Sequence, residues 1–176
     1  DQFNQDLLRR LGSLPDVEAS GLDSFLPANG NQGNSAFVAK GYVPPRPGTI
    51  DLATPLQVQG DIFRAMGIPL LRGRLFTEAD NQPNAQLVVI VNQQFAQQSW
   101  PGQNPIGKRM RIGTVDMQTP CGTVVGEVAS LKDASPDAAP RQQSYIPVER
   151  FEAFTGSLGN PATDLNGNLT SAQQDL

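Results

Sequence analysis

Histidine is absent from the 176 residues of this chain. Its absence removes Ser-His-Asp and Cys-His catalysis, histidine general bases and most zinc sites together. Cysteine occurs once, as Cys121, so no internal disulfide can form and the redox compartment stays undecided. A small buried apolar side chain is the plain reading of that thiol. Long apolar runs are missing as well. None reaches the roughly 18 residues that a bilayer-spanning helix needs. Asp1 leads straight into an amphipathic segment, so no signal peptide is expected within these residues. The expectation is a soluble protein, or a soluble piece whose membrane anchors lie outside it. Charge is scarce at 17% of residues, the net charge is −4, and the one basic run is Lys108-Arg109-Met110-Arg111. A nucleic-acid binder would present a broad basic face, so that class is disfavoured.

What is present is 38% hydrophobic residues, many Gln, Asn, Ser and Thr, 15 prolines and 17 glycines. That mixture supports a modest core with many turns and short elements, and fits β or α+β structure better than a helical bundle. Phe3, Leu7, Leu11 and Leu14 share one face of a helix expected over residues 2–14, which Pro15 stops. Strands are expected over 17–26, 36–43 and 50–58, with the stiff connector PPRPG at 44–48. Asp61 is placed to cap a short helix over 62–66, with Gly67 at its left-handed end. Pro69 argues that the apolar 68–71 lies at a sheet edge, and Thr77 is a candidate cap. Leu87 to Val91 is the strongest strand, and its unbroken apolar run implies burial on both faces. Asn92 is placed to cap a helix over 93–99 that Pro101-Gly102 ends. Lys108 to Ile112 alternates as a half-buried strand does. Further strands are expected over 123–129 and 144–148.

Several motifs invite a chemical reading. GQNPIGKR at 102–109 has the glycine and lysine spacing of a phosphate-binding loop. That mechanism needs a strand before, a helix after, and a hydroxyl residue following the lysine. Here a helix precedes, a β pattern follows, Arg109 takes the hydroxyl position, and Pro105 removes a backbone donor. A structural turn is the better reading. Glu78 with Asp80, and Asp133 with Asp137, are the closest acidic groupings for acid-base work. Their loop-like surroundings make them solvated carboxylates. Arg72 and Arg74 flank Gly73 and are read as solvating an edge strand or pairing with Glu78 or Asp80. Asn168-Leu169-Thr170 fits a glycosylation acceptor, a triplet common by chance. Trp100 is read as core, with interface anchoring second. No residue is assigned a catalytic, cofactor-binding or metal-ligating role, and partner-binding residues are not named.

The order of segments carries a resemblance. Residues 61–81, DIFRAMGIPLLRGRLFTEADN, are followed by VVIVNQQFAQQSWPGQNPIGKRMRIG at 88–113, TVVGEVAS at 123–130 and YIPVE at 145–149. With Phe63, Met66-Gly67-Ile68, Arg72-Gly73-Arg74, Phe76, Val91-Asn92, Phe95, Pro101-Gly102, Pro105-Ile106-Gly107-Lys108-Arg109 and Val125-Gly126, this pattern resembles the MacB-like periplasmic core domain of ABC-transporter permeases. The likeness is greatest to permeases of the acidobacterial duplicated type. It covers residues 5–149 and is most specific over 61–113. The opening LLRRLGSLPDVEASGLDSFLP also resembles that family's first helix and strand. After Tyr145-Ile146-Pro147 the chain departs from the family, with a Gly/Asn-rich tail in place of a further strand and helix.

The resemblance implies an α+β fold in two lobes. A porter-like α/β-sandwich lobe would span about residues 1–80 plus closing strands at about 123–150. A mostly-β lobe would be inserted at about 84–122, and 151–176 would be a polar, partly ordered tail. It also implies a periplasmic, non-catalytic domain without cofactor, which transmits motion from cytoplasmic ATP hydrolysis. Its partners would be an ABC ATPase subunit acting through a membrane region, and a periplasmic adaptor or exported substrate. A dimer would form in the full-length protein. The rival readings are a secreted stand-alone binding module and a small acid-dependent hydrolase. The phosphate-loop question has a direct test: titration of the purified chain with Mg-ATP is expected to give no binding heat. A heat that disappears in Lys108→Ala would restore that loop as a nucleotide site.

Overall fold

A computed structural model describes residues 2–24, 33–42, 49–114, 117, 119–131 and 140–155. Helix α1, Gln2–Gly12, is followed by strands β1, Gly21–Asp23, β2, Ser35–Ala39, and β3, Leu52–Gly60. Helix α2, Ile62–Ala65, then precedes β4, Leu70–Gly73, and β5, Val88–Asn92. Helix α3, Gln93–Ser99, leads to β6, Arg109–Ile112, β7, Gly122–Val128, and β8, Gln143–Pro147. A 3-10 turn, Val148–Arg150, runs into α4, Phe151–Thr155.

The eight strands form one sheet. In it β3 runs parallel to β8, β8 antiparallel to β5, and β5 parallel to β7. Strands β2 and β6 pair with each other and also reach β3 and β7 respectively. The pairings therefore close a circuit, β3–β2–β6–β7–β5–β8 and back to β3. Strand β1 joins the end of β3, and β4 joins the end of β7. The segment expected as the inserted lobe, 84–122, thus supplies β5 and β6 to the common sheet.

Strand β5 explains why LVVIV is apolar throughout. All five of its residues are buried. Side chains alternate across a strand, so Val89 and Val91 enter one cluster with Phe95, Ala96, Trp100, Met110 and Ile146. Ile90 enters the other, with Leu56, Val58, Ile62, Phe63 and Tyr145. The register of β7 slips by one residue here: Val89 faces Val124, but Ile90 faces Gly126. This bulge reverses the parity of β7. Val124 joins the first cluster and Val128 the second, although four residues along a regular strand would share a face.

The structure adjusts several sequence expectations. The strand expected over 17–26 is regular only at Gly21–Asp23 among its described residues. Strand β6 is covered on both sides, because Arg111 is buried along with Met110. Asp61 occupies the cap position of α2 without a side-chain hydrogen bond to the helix, while Gly67 takes the expected left-handed conformation, φ 63°. The connector 44–48 lies outside the described residues. The boundary expected at 150 falls inside packed structure, since Phe154 in α4 is fully buried in the cluster beneath α3. Its ring lies directly over Gly122, where any side chain would overlap it. Aromatic identity, not polarity, was the signal there: Phe151 and Phe154 are the two large apolar residues beginning an otherwise polar stretch.

Truncating Phe154 to alanine is expected to lower stability by about 3–5 kcal/mol, the usual cost of emptying an aromatic site in a core. Gly122→Ala should also destabilise, by overpacking against the same ring. Urea denaturation measures both, and an unchanged midpoint in Phe154→Ala would show that α4 is not part of the folded unit.

Candidate functional site

Three polar constellations interrupt the apolar interior. The first is centred on Asn92, which has no solvent exposure. Its Oδ1 accepts from the backbone N–H of Phe95 at 2.9 Å, capping α3, and from that of Gln143 at 3.1 Å. Its Nδ2 donates to the Arg141 carbonyl at 2.7 Å and to Gln143 Oε1 at 3.2 Å. Both acceptor sites and both donors of the amide are thereby used. The Tyr145 hydroxyl donates to the same Gln143 Oε1 at 3.1 Å.

The second lies after β4. Arg74 grips Asp80 through two parallel hydrogen bonds, Nη1 to Oδ2 at 2.7 Å and Nη2 to Oδ1 at 2.9 Å. Asp80 also accepts from the backbone N–H of Thr77 at 2.7 Å and its hydroxyl at 2.9 Å. It closes the short 3-10 turn Glu78–Asn81 from inside. Asp80 was expected as a solvated loop carboxylate. It is buried, because four donors replace its water. The Arg74 guanidinium, ahead of the Thr77 bonds, holds its carboxyl below the usual aspartate range against the opposing effect of burial. Glu78, its companion in the sequence, stays exposed.

The third is a groove of about 520 Å³ between α3, the 102–104 turn and β4. Glu127 of β7 lies at its floor with a side chain only 4% exposed. Arg72 of β4, 55% exposed, bonds to it from Nη1 to Oε2 at 3.0 Å. The walls carry amides, Gln93, Gln97, Gln103 and Asn104, beside Trp100. Trp100 is a core residue whose Nε1 donates to the Lys40 carbonyl at 2.8 Å, and one part of it reaches the groove. Glu127 was missed in the sequence. Its signal was a single acid inside TVVGEVAS, and the bulge hid which face that acid takes.

The GQNPIGKR segment is the turn between α3 and β6. The Gly107 N–H donates to the Val124 carbonyl, and that of Ile106 to Asn104 Oδ1. Lys108 Nζ donates to Gln103 Oε1 at 2.7 Å. The groups that would cradle phosphate are bound within the fold. Cys121 is buried, as read. Asp133, Asp137 and Asn168 lie outside the described residues. Among the described residues no cluster of three His, Cys, Asp or Glu side chains gathers to hold a metal. No described helix is long and apolar enough to cross a membrane.

These features define an α+β domain built on a closed circuit of strands, with the Arg72–Glu127 and Arg74–Asp80 pairs at and just beyond β4. The chain matches the model of the MacB-like periplasmic core domain over residues 3–174, and it belongs to that family. Among solved structures it is similar to the periplasmic region of MacB from Actinobacillus actinomycetemcomitans, with TM-score 0.53 and 16% identity over 83% of this chain. It is also similar to the extracellular domain of the noncanonic ABC-type transporter YknZ from Gram-positive bacteria, with TM-score 0.54 and 13% identity over 88% of this chain. The chain spans 55% of the first of these and 67% of the second. A search of curated proteins finds no match.

The Arg74–Asp80 pair predicts a definite pH dependence. A carboxyl whose pKa is lowered by folding contributes stability above its unfolded value, near 4, and loses that contribution as pH falls through the folded value. Asp80→Asn should lower stability at neutral pH by about 1–2 kcal/mol, moderated because Arg74 is half exposed. It should also flatten the fall in melting temperature below pH 4. An acid limb identical to that of the parent chain would show that Asp80 is not stabilised as described.

Proposed function

We propose that this chain is the extracytoplasmic, periplasmic domain of an ABC-type permease. In this reading it carries out no chemistry itself. An ATPase subunit or domain on the cytoplasmic side drives membrane helices, and the domain relays that movement to a periplasmic adaptor or exported substrate. Two copies would face each other in the full-length dimer. The family match over residues 3–174 is the observation that carries the reading. The sheet supports it physically. Strands paired in a circuit, with two apolar clusters filling both faces of β5, form a body suited to moving as one piece. The acid-dependent hydrolase fits less well, since Asp80 and Glu127 are each neutralised by a separate arginine.

The test uses the full-length permease. Met66 is exposed at the end of α2, so a nitroxide on Met66→Cys, in a Cys121→Ala background, reports the separation of two copies. ATP binding, trapped with a non-hydrolysable analogue, is expected to shift the interspin distance measured by pulsed electron resonance. A distribution unchanged between nucleotide-free and nucleotide-bound states would overturn the relay. So would a full-length gene product without membrane-crossing segments.

A further inference from the structure

We propose that the groove between α3 and β4 is a docking site for an acidic polypeptide segment, with Arg72 as the contact residue and Glu127 as its positioning residue. The inference goes beyond the transport reading and does not depend on it. Its basis is the unequal exposure of the two charges. Glu127 is turned inward, 4% exposed, whereas Arg72 stands 55% exposed at the mouth. Only one guanidinium nitrogen, Nη1, is engaged with the acid, at 3.0 Å. An arginine has five N–H donors arranged as a planar fork. Most of that fork therefore stays directed outward while the buried carboxylate holds the group in place. Such an arrangement suits a carboxylate arriving from outside, because the arginine is already desolvated on one side and restricted in rotation.

The rim reinforces the same preference. Lys108 bonds to the Oε1 of Gln103, a wall residue, and so adds a second positive charge beside the groove. That bond occupies the acceptor oxygen of Gln103 and leaves its NH₂ donors for a ligand. Among the described residues, no carboxylate other than Glu127 lines this groove. Its open side thus carries positive charge on a chain whose net charge is −4. An incoming cation would have to displace Arg72 from Glu127, whereas an anion adds to the existing pair. The amides of Gln93 and Gln97 supply both donors and acceptors and Asn104 adds its NH₂ group, which fits the alternating N–H and C=O groups of a peptide main chain better than a small acid.

Trp100 is the only tryptophan in the chain and lines this groove, so its emission reports occupancy directly. The probe is a fluorescein-labelled hexaglutamate peptide at pH 7 and low salt, followed by anisotropy and, with unlabelled peptide, by Trp100 emission. Hexalysine and glutarate are the controls. Hexaglutamate is expected to bind with a salt-sensitive affinity and to change Trp100 emission. Arg72→Gln should weaken binding at least roughly tenfold, the scale of one lost charge-assisted contact. Arg72→Lys should recover only part of this loss, because the planar fork is gone. Glu127→Gln should weaken binding by loosening Arg72, which is a positioning effect. Arg72→Gln leaves Glu127 buried without its ion pair and should lower the melting temperature. The double variant Arg72→Gln/Glu127→Gln removes both charges together, is expected to lose hexaglutamate binding, and keeps the inference testable if either single variant fails to fold. Absence of hexaglutamate binding, or binding indifferent to Arg72→Gln, overturns the proposal. Hexalysine binding that Glu127→Gln abolishes overturns it in favour of a cation receptor. Glutarate binding as tightly as the peptide overturns the assignment to a polypeptide.

Discussion

The amide of Asn92 is the constraint on which most of this structure depends. It sits where three elements meet: the last residue of β5, the first turn of α3 and the entry to β8. A buried amide offers two donors and two acceptors, and leaving any of them unmet costs about 1–3 kcal/mol. All four are met by groups drawn from two stretches of the chain, Phe95 in α3 and Arg141 with Gln143 at the entry to β8. The satisfied state therefore exists in one arrangement only, with α3 starting at a fixed angle from β5 and β8 arriving in fixed register. Asn92 also stands opposite Val128 in the β5–β7 ladder, and Val91 opposite Glu127. The same register that seats the amide thus sets the position of the acid beneath the groove.

How far the sequence foretold this depends on the range of each interaction. The β5 strand, the Asn92 cap and the left-handed Gly67 were legible, because apolar runs, cap residues and turn glycines act over a few positions. The bidentate pairing of Arg74 with Asp80 was within reach for the same reason, as they are six residues apart. The burial of Asp80 was not, since it follows from Arg74 and Thr77 closing round it in three dimensions. The partner of Arg72 was out of reach altogether. Glu127 is 55 residues distant, and the bulge at Val125 changes which face it occupies. Periodicity assumes an unbroken ladder, so one inserted residue defeats it. Phe154 was lost in a different way: a composition average over 151–176 masks two aromatic side chains at its start.

Two ion pairs lie at one end of the sheet. Arg72, Arg74, Asp80 and Glu127 gather around β4 and its exit. In each pair the acid is buried and the base half exposed. Burying a carboxylate unpaired would cost several kcal/mol, so each pairing is a condition of the fold even where its net contribution is small. Asp80 is saturated by four donors, and Arg74 is committed to it through both terminal nitrogens. Glu127 and Arg72 share a single bond. The difference separates a structural clasp from a pair with capacity to spare.

The distribution of packing bears on how such a body would respond to force. Strands of the closed circuit are held by neighbours on either side and by two filled clusters, and interiors of that density deform little. Helix α1 is the opposite case, with no buried residue along its eleven positions. Strand β4 is intermediate: all four of its residues are exposed, and among the described residues β7 is its only strand partner in the sheet. Elements with few buried contacts open at lower free energy than the core they adjoin. A push delivered through α1 would meet a stiff sheet behind a lightly held helix, whereas β4 could shift against β7 by loosening the one ladder that joins them. The Arg72–Glu127 bond spans that ladder. A ligand carboxylate added to Arg72 would therefore act on an exposed strand, while the Asn92 junction kept the rest of the sheet in register.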